Sequence, residues 1–288
     1  MNLFVSTTFL ADNKSLKEAL TICNENDING LELGSNHCHE NNYDYCLDFD
    51  FRYLVHNYFP IPEKSFVINI ASNNDEIVNR SITQIKKSID FCQKIGAELY
   101  TFHPGFLTDP MGSNKNKKNY DFQWDEKQLK DNNYNIALER MYKSIDIILE
   151  YAIIKNTNIS IETEGSVSKK NHLLMQTPIE YQKFIQHYSS SDIGINLNIG
   201  HLNLAANSFS FDRMEFVEII ADYVVAMELS HNEGVEDDHL PLKEVGWYWD
   251  LIFDERFIDK PKILEFRNTD ISAICENIKL IKNFSKNV

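Results

Sequence analysis

Eight short apolar, β-branched runs alternate with stretches of helical period along this chain, and that alternation limits the folds open to it more than any other feature. The runs fall at 3–6, 30–34, 52–56, 98–103, 159–162, 193–198, 223–229 and 262–265. Helical period is clearest at 15–26, where Leu16, Ala19, Leu20 and Cys23 share a face, and at 75–95, where Ile77, Ile82, Ile85, Ile89 and Cys92 do so and Gly96 ends the stretch. Further helices are expected at 133–156, 178–188, 211–221 and 271–284. Strands alternating with helices give parallel βα units, and eight of them give an α/β fold of the (β/α)8 TIM-barrel type. With 288 residues, 43% of them hydrophobic, the expectation is a single domain over 1–288. Residues 106–132 lack a period and are rich in Asn, Lys and Asp, so a long loop is expected there, placed as a lid over the site.

A parallel barrel brings the C-terminal ends of all its strands to one mouth. The runs end on or just before His56, His103, Glu162, Asn198, His231 and Glu265, and His201, Asp237 and His239 follow in the connecting segments. Imidazole and carboxylate together are ligands for zinc, manganese or iron, and a catalytic centre keeps a position open for water or substrate. His37 and His39 mimic a ligand pair but sit in an irregular polar segment, and they are expected to face solvent, as are His172 and His187. Phe122 and Trp124 in the lid, and Trp247, Tyr248 and Trp249 after the seventh run, either stack on a substrate or pack the barrel rim.

Composition narrows the partners. The formal charge is −15, which repels phosphate backbones, so nucleic acid is a disfavoured substrate. No apolar run is long enough to span a bilayer and residues 1–5 lack a signal-peptide flank, so a cytoplasmic protein without a membrane partner is expected. Five cysteines without C-x-x-C spacing are read as reduced thiols.

In order along the chain, His56-Asn-Tyr-Phe-Pro, His103-Pro-Gly, Ile161-Glu162-Thr-Glu-Gly165, Asn198-Ile-Gly-His201, His231, Asp237-Asp-His-Leu-Pro-Leu242 and Leu264-Glu265 resemble the xylose-isomerase-like TIM-barrel superfamily. That superfamily holds sugar and sugar-phosphate isomerases and epimerases together with endonuclease IV. The resemblance implies one to three divalent ions, zinc or manganese. It assigns Glu162, Asn198, His231 and Glu265 to a central ion, His56, His103 and Glu162 to a second, and His201, Asp237 and His239 to a third. Asn198 departs from the pattern, which has Asp there, and an amide neutralises none of an ion's charge. The resemblance also leaves homo-oligomers open.

On the isomerase or epimerase pattern, Glu162 and Glu265 are the catalytic pair, one removing and one returning a proton at the substrate carbon. His56, His103, His201 and Arg267 then contact the substrate, a small sugar or sugar phosphate, with Arg267 suited to an anionic group. The alternatives are a metal-dependent phosphodiesterase of the apurinic/apyrimidinic endonuclease type and a degenerate, non-catalytic sugar-binding barrel.

Overall fold

The computed structural model describes residues 2–10, 15–113, 122–124, 133–165 and 172–286. Its barrel strands are β1 (Leu3–Ser6), β2 (Gly30–Leu33), β3 (Arg52–His56), β4 (Tyr100–Phe102), β7 (Ile159–Glu162), β8 (Gly194–Asn198), β9 (Val224–Leu229) and β10 (Lys262–Leu264). All pair in parallel in the order β1-β10-β9-β8-β7-β4-β3-β2, and the sheet closes where β1 meets both β2 and β10. The result is a closed eight-stranded parallel barrel, a single-domain TIM barrel, as the alternation of runs predicts.

Around it lie α1 (Leu16–Glu25), α2 (Asp75–Ile95), α3 (Tyr134–Lys155), α4 (Pro178–His187), α5 (Ile199–Phe209), α6 (Arg213–Ile220), the short α7 (Trp249–Ile252) and α8 (Ile271–Phe284). Their ends follow local chemistry. Ser15 and Glu18 form a capping box at the start of α1, and Gly96, at φ 69°, takes the left-handed cap that ends α2.

Two departures from the sequence expectation bear on the site. Residues 199–209, read as a loop carrying His201, form α5, with Asn198 as N-cap. The expected lid loop contains an antiparallel ribbon of β5 (Pro110–Ser113) and β6 (Phe122–Trp124). Residues 114–121 and 125–132 of that lid, with the side chains of Phe122 and Trp124, lie outside the described residues.

Strand alternation sets what fills the barrel. Phe4, Leu54, Leu99, Ala226 and Ile263 form a small apolar cluster of their own, apart from the large core between sheet and helices. Two residues further along the same strands, the faces that carry Phe4, Leu54 and Ala226 carry Ser6, His56 and Glu228. The interior therefore turns from apolar to polar towards the strand C-termini. Tyr248 and Trp249 are buried, with the Trp249 ring stacked on Phe284 at 4.1 Å, so both pack the rim. Trp247 lies under the Arg213 guanidinium. His37 and His172 are buried, the former bonded to Thr7 Oγ1 at 2.9 Å, contrary to the solvent exposure expected; His187 is exposed and stacks on Tyr142.

Candidate metal centre

β3 ends on His56 and β7 on Glu162, while His103 follows β4 by one residue. Because these three strands are neighbours in the barrel, the side chains meet. His56 Nε2 lies 3.0 Å and His103 Nε2 3.5 Å from the same oxygen, Glu162 Oε2. Among the described residues, neither His56 Nε2 nor Glu162 Oε2 has a hydrogen-bond partner, although both are buried. With His103 Nε2 they form a group of donor atoms within 4.8 Å of one another, close enough to share a cation.

The outward nitrogen of His103 is pinned, and that of His56 faces two carboxylates. His103 Nδ1 bonds Glu164 Oε1 at 2.7 Å, and His56 Nδ1 lies 3.6 Å from both Glu32 Oε1 and Glu228 Oε1. Such partners orient a metal-ligating imidazole and keep its inner nitrogen free to coordinate.

A second cluster repeats the arrangement. His239 Nε2 and His201 Nε2 lie 2.9 and 3.8 Å from Asp237 Oδ2, while Asp237 Oδ1 is buried without a hydrogen-bond partner. His201 Nδ1 bonds the Thr163 carbonyl at 2.9 Å and lies 3.0 Å from Glu162 Oε1; His239 Nδ1 lies 3.1 Å from Glu265 Oε2. His201 reaches this place from the first turn of α5, and His239 from a backbone position at φ 47°. Each cluster thus offers two imidazoles and a carboxylate, a donor set that suits a divalent zinc, manganese or iron ion.

Between the clusters the geometry changes character. Asn198 Nδ2 donates to Glu162 Oε1 at 2.9 Å and Glu228 Oε2 at 2.8 Å, and faces Glu265 Oε2 at 3.4 Å. Its oxygen accepts the His201 N–H at 3.1 Å. His231 turns elsewhere, with Nε2 3.2 Å from Glu233 Oε1 and Nδ1 3.5 Å from Tyr248 Oη. Among the described residues, no cluster of metal-ligating donor atoms includes His231, whereas a third group of such donors, Glu32, His56 and Glu228, shares Glu228 with this central position. Arg267 stands at the same mouth, 3.7 Å from Asp237 Oδ2 and 3.9 Å from Glu265 Oε1.

The electrostatics follow from crowding. Burial pushes the Glu162 carboxyl up, but His103 and His201 outweigh it and hold the group well below the ordinary carboxylate range. Asp237 behaves likewise, pushed up by burial and pulled well below by His239 and His201. Burial lowers His56, and Glu228 and Glu32 more than restore it, so its imidazole ends well above the usual value. Glu228 is driven well above the carboxylate range by burial and then by Glu162 and Glu265.

Glu32, Glu164 and Glu228 are the participants that sequence reasoning passed over. Glu32 and Glu228 lie inside the apolar strand runs, although a charged residue flanked by apolar ones in a buried strand was itself a signal.

The fold has counterparts. A family model described as xylose isomerase-like TIM barrel matches residues 11–282. The chain is similar to an uncharacterized protein of Methanocaldococcus jannaschii, MJ1311, at 23% identity over 283 residues, 97% of this chain and 87% of that one. It is also 23% identical over 184 residues, 64% of its length, to the uncharacterized y4fM of Sinorhizobium fredii, of which the match spans only about half, 51%. Among solved structures, a D-tagatose 3-epimerase-like protein superposes with TM-score 0.74 at 19% identity, over 100% of this chain and 98% of that one. Endonuclease IV from Thermus thermophilus does so with TM-score 0.62 at 9% identity, over the whole of both chains. Taken with the closed barrel and the donors at its mouth, the match over nearly the whole length places this chain in the xylose isomerase-like TIM barrel family.

Proposed function

We propose that this chain is a divalent-metal-dependent isomerase or epimerase acting on a small sugar or sugar phosphate. One observation carries the reading: His56 Nε2, His103 Nε2 and Glu162 Oε2 converge at the barrel mouth, and the His56 and Glu162 atoms are left without hydrogen bonds. An ion held there supplies Lewis-acid chemistry towards a substrate oxygen. Glu265 and Glu162, both within 3.4 Å of the Asn198 amide, are the two carboxylates set to work on the bound sugar. One of them takes the proton from the carbon next to the carbonyl, and the other, protonated when the sugar is bound, returns one. Arg267 holds an anionic substituent where the substrate has one. The names of the similar D-tagatose 3-epimerase-like and D-psicose 3-epimerase structures agree with a sugar substrate.

The test is proton exchange. A panel of ketoses and aldoses, free and phosphorylated, incubated with the protein and Mn²⁺ or Zn²⁺ in D₂O, should include at least one sugar that takes up deuterium at the carbon beside the carbonyl. Exchange should disappear in Glu265→Gln. No exchange across the panel sinks the reading.

The second donor cluster favours one other reading. Two ions, at His56–His103–Glu162 and His201–Asp237–His239, would suit phosphodiester hydrolysis. Nicking of abasic duplex or cleavage of an aryl phosphodiester, lost in His239→Ala, is its signature.

A further inference from the structure

The carboxylates of Glu162, Glu228 and Glu265 converge on a single atom, and that atom is a nitrogen. Asn198 Nδ2 stands 2.9, 2.8 and 3.4 Å from their oxygens, and all four side chains are buried. Buried carboxylates gathered around one point ordinarily call for a cation, because an unpaired charge away from water is costly. The amide brings two N–H donors and no net charge. Its orientation is determined at the other end, where Oδ1 accepts the His201 N–H and caps α5. Turned over, it would aim a carbonyl oxygen at the carboxylates and leave that helix N–H unserved.

We infer that the Asn198 amide takes the place of a central ion, so that no divalent ion sits among Glu162, Glu228 and Glu265 while the outer clusters His56–His103–Glu162 and His201–Asp237–His239 hold theirs. The amide then acts as a positioning group, holding Glu162 and Glu265 on either side of a point that no metal enters. The inference rests on the metal-dependent reading for the two outer ions alone.

Two more features agree. Asn196, two residues earlier on β8 and so on the same face, donates to Glu228 Oε1 at 2.6 Å, so both Glu228 oxygens are taken up by amides. His231, the imidazole that would complete a central site, faces Glu233 and Tyr248 instead.

Counting ions tests this. Wild-type protein and Asn198→Asp, loaded with Mn²⁺ or Zn²⁺ and dialysed, are analysed for metal per chain, and both are melted with and without the ion. Asn198→Asp should bind one more ion per chain than wild type. Its metal-free form should melt below wild type, because a fourth carboxylate joins three, and the ion should restore it. Equal metal counts and equal melting responses would overturn the inference. A wild type without metal, whose Asn198→Asp form gains one ion, supports the role of the amide while removing the metal-dependent reading of the outer clusters. If Asn198→Asp does not fold, crystals of the wild type grown with Mn²⁺ decide. Anomalous peaks confined to the outer clusters support the inference, and a peak about 2.0–2.6 Å from oxygens of Glu162, Glu228 and Glu265 overturns it.

Discussion

Glu164 donates no atom to either cluster, yet it decides how one ligand is held. Its carboxylate takes His103 Nδ1 at 2.7 Å, and His103 is the more exposed of the two imidazoles facing Glu162 Oε2. Glu164→Ala should weaken metal binding at this cluster about 10–100-fold, the usual effect of losing such a partner. Competition against a chromophoric chelator measures it, and an unchanged affinity would show that the imidazole needs no such support. At the opposite end of the strands, Lys262 is buried, and its ammonium donates to the Phe257 carbonyl at 2.6 Å. Burial lowers its pKa from an ordinary 10.5 to about 8, against a small upward pull from Asp259. Above pH 8 the folded chain releases this proton while the unfolded chain keeps it until about 10.5, so stability from this group rises across that window and is lost as pH falls through 8. Denaturant unfolding of wild type and Lys262→Met at several pH values should therefore show the wild type gaining on the variant between pH 8 and 10.5. His56, His103 and Glu162 could be read from the sequence because an apolar run ending in a polar residue marks the mouth of a barrel. Glu32 and Glu228 could not be read that way, since each sits inside its run, where burial predicts an apolar side chain.

At the scale of elements, α5 is the piece that sequence periodicity missed. Its residues from Ile199 to Ala206 are all buried, so no polar face alternates with an apolar one to set a helical period. The N-cap residue, Asn198, was visible but was read as a ligand. The helix also leans on a glycine, because a Cβ at Gly165 would come within 2.1 Å of the His201 carbonyl oxygen, which is backbone and has little room to yield. Gly165→Ala should lower stability by about 1–3 kcal/mol, the range of an overpacked contact. It should also weaken ion binding at the cluster that contains His201, with denaturant midpoints and metal titration as the two measurements. Loss of neither would mean that the first turn of α5 shifts freely. By contrast α1 and α2 were legible from end to end, since Ser15, Glu18 and Gly96 are capping chemistry that acts through neighbours in sequence.

For the whole molecule, metal binding and folding are linked, because the donors come from strands far apart in sequence and assemble only in the closed barrel. A chelator should lower the melting temperature of metal-loaded protein. With free ion at about a hundred times its dissociation constant, the loss is about 2.7 kcal/mol per site, or about 5–10 °C for a chain of this size. A melting temperature that ignores chelator would show that no ion binds the folded state preferentially. The barrel as a whole was legible because eight repeats of one pattern overdetermine it, whereas the wiring of its interior depends on which side chain faces which across strands, and periodicity carries no such information.

The order of the strands around the barrel has a consequence for how the mouth comes into being. β3, β4 and β7 are consecutive in the wall, so His56, His103 and Glu162 belong to one sector, complete once the chain has been made as far as residue 162. His201, Asp237 and His239 belong to a later sector, and Asn198 is the seam between the two. During synthesis the earlier sector can therefore gather its donors while the later one does not yet exist, whereas Glu265, just beyond the strand that seals the barrel against β1, arrives last. An ion captured early would act as a clasp on a half-built wall, and the carboxylate pair would come into register only with the final staves.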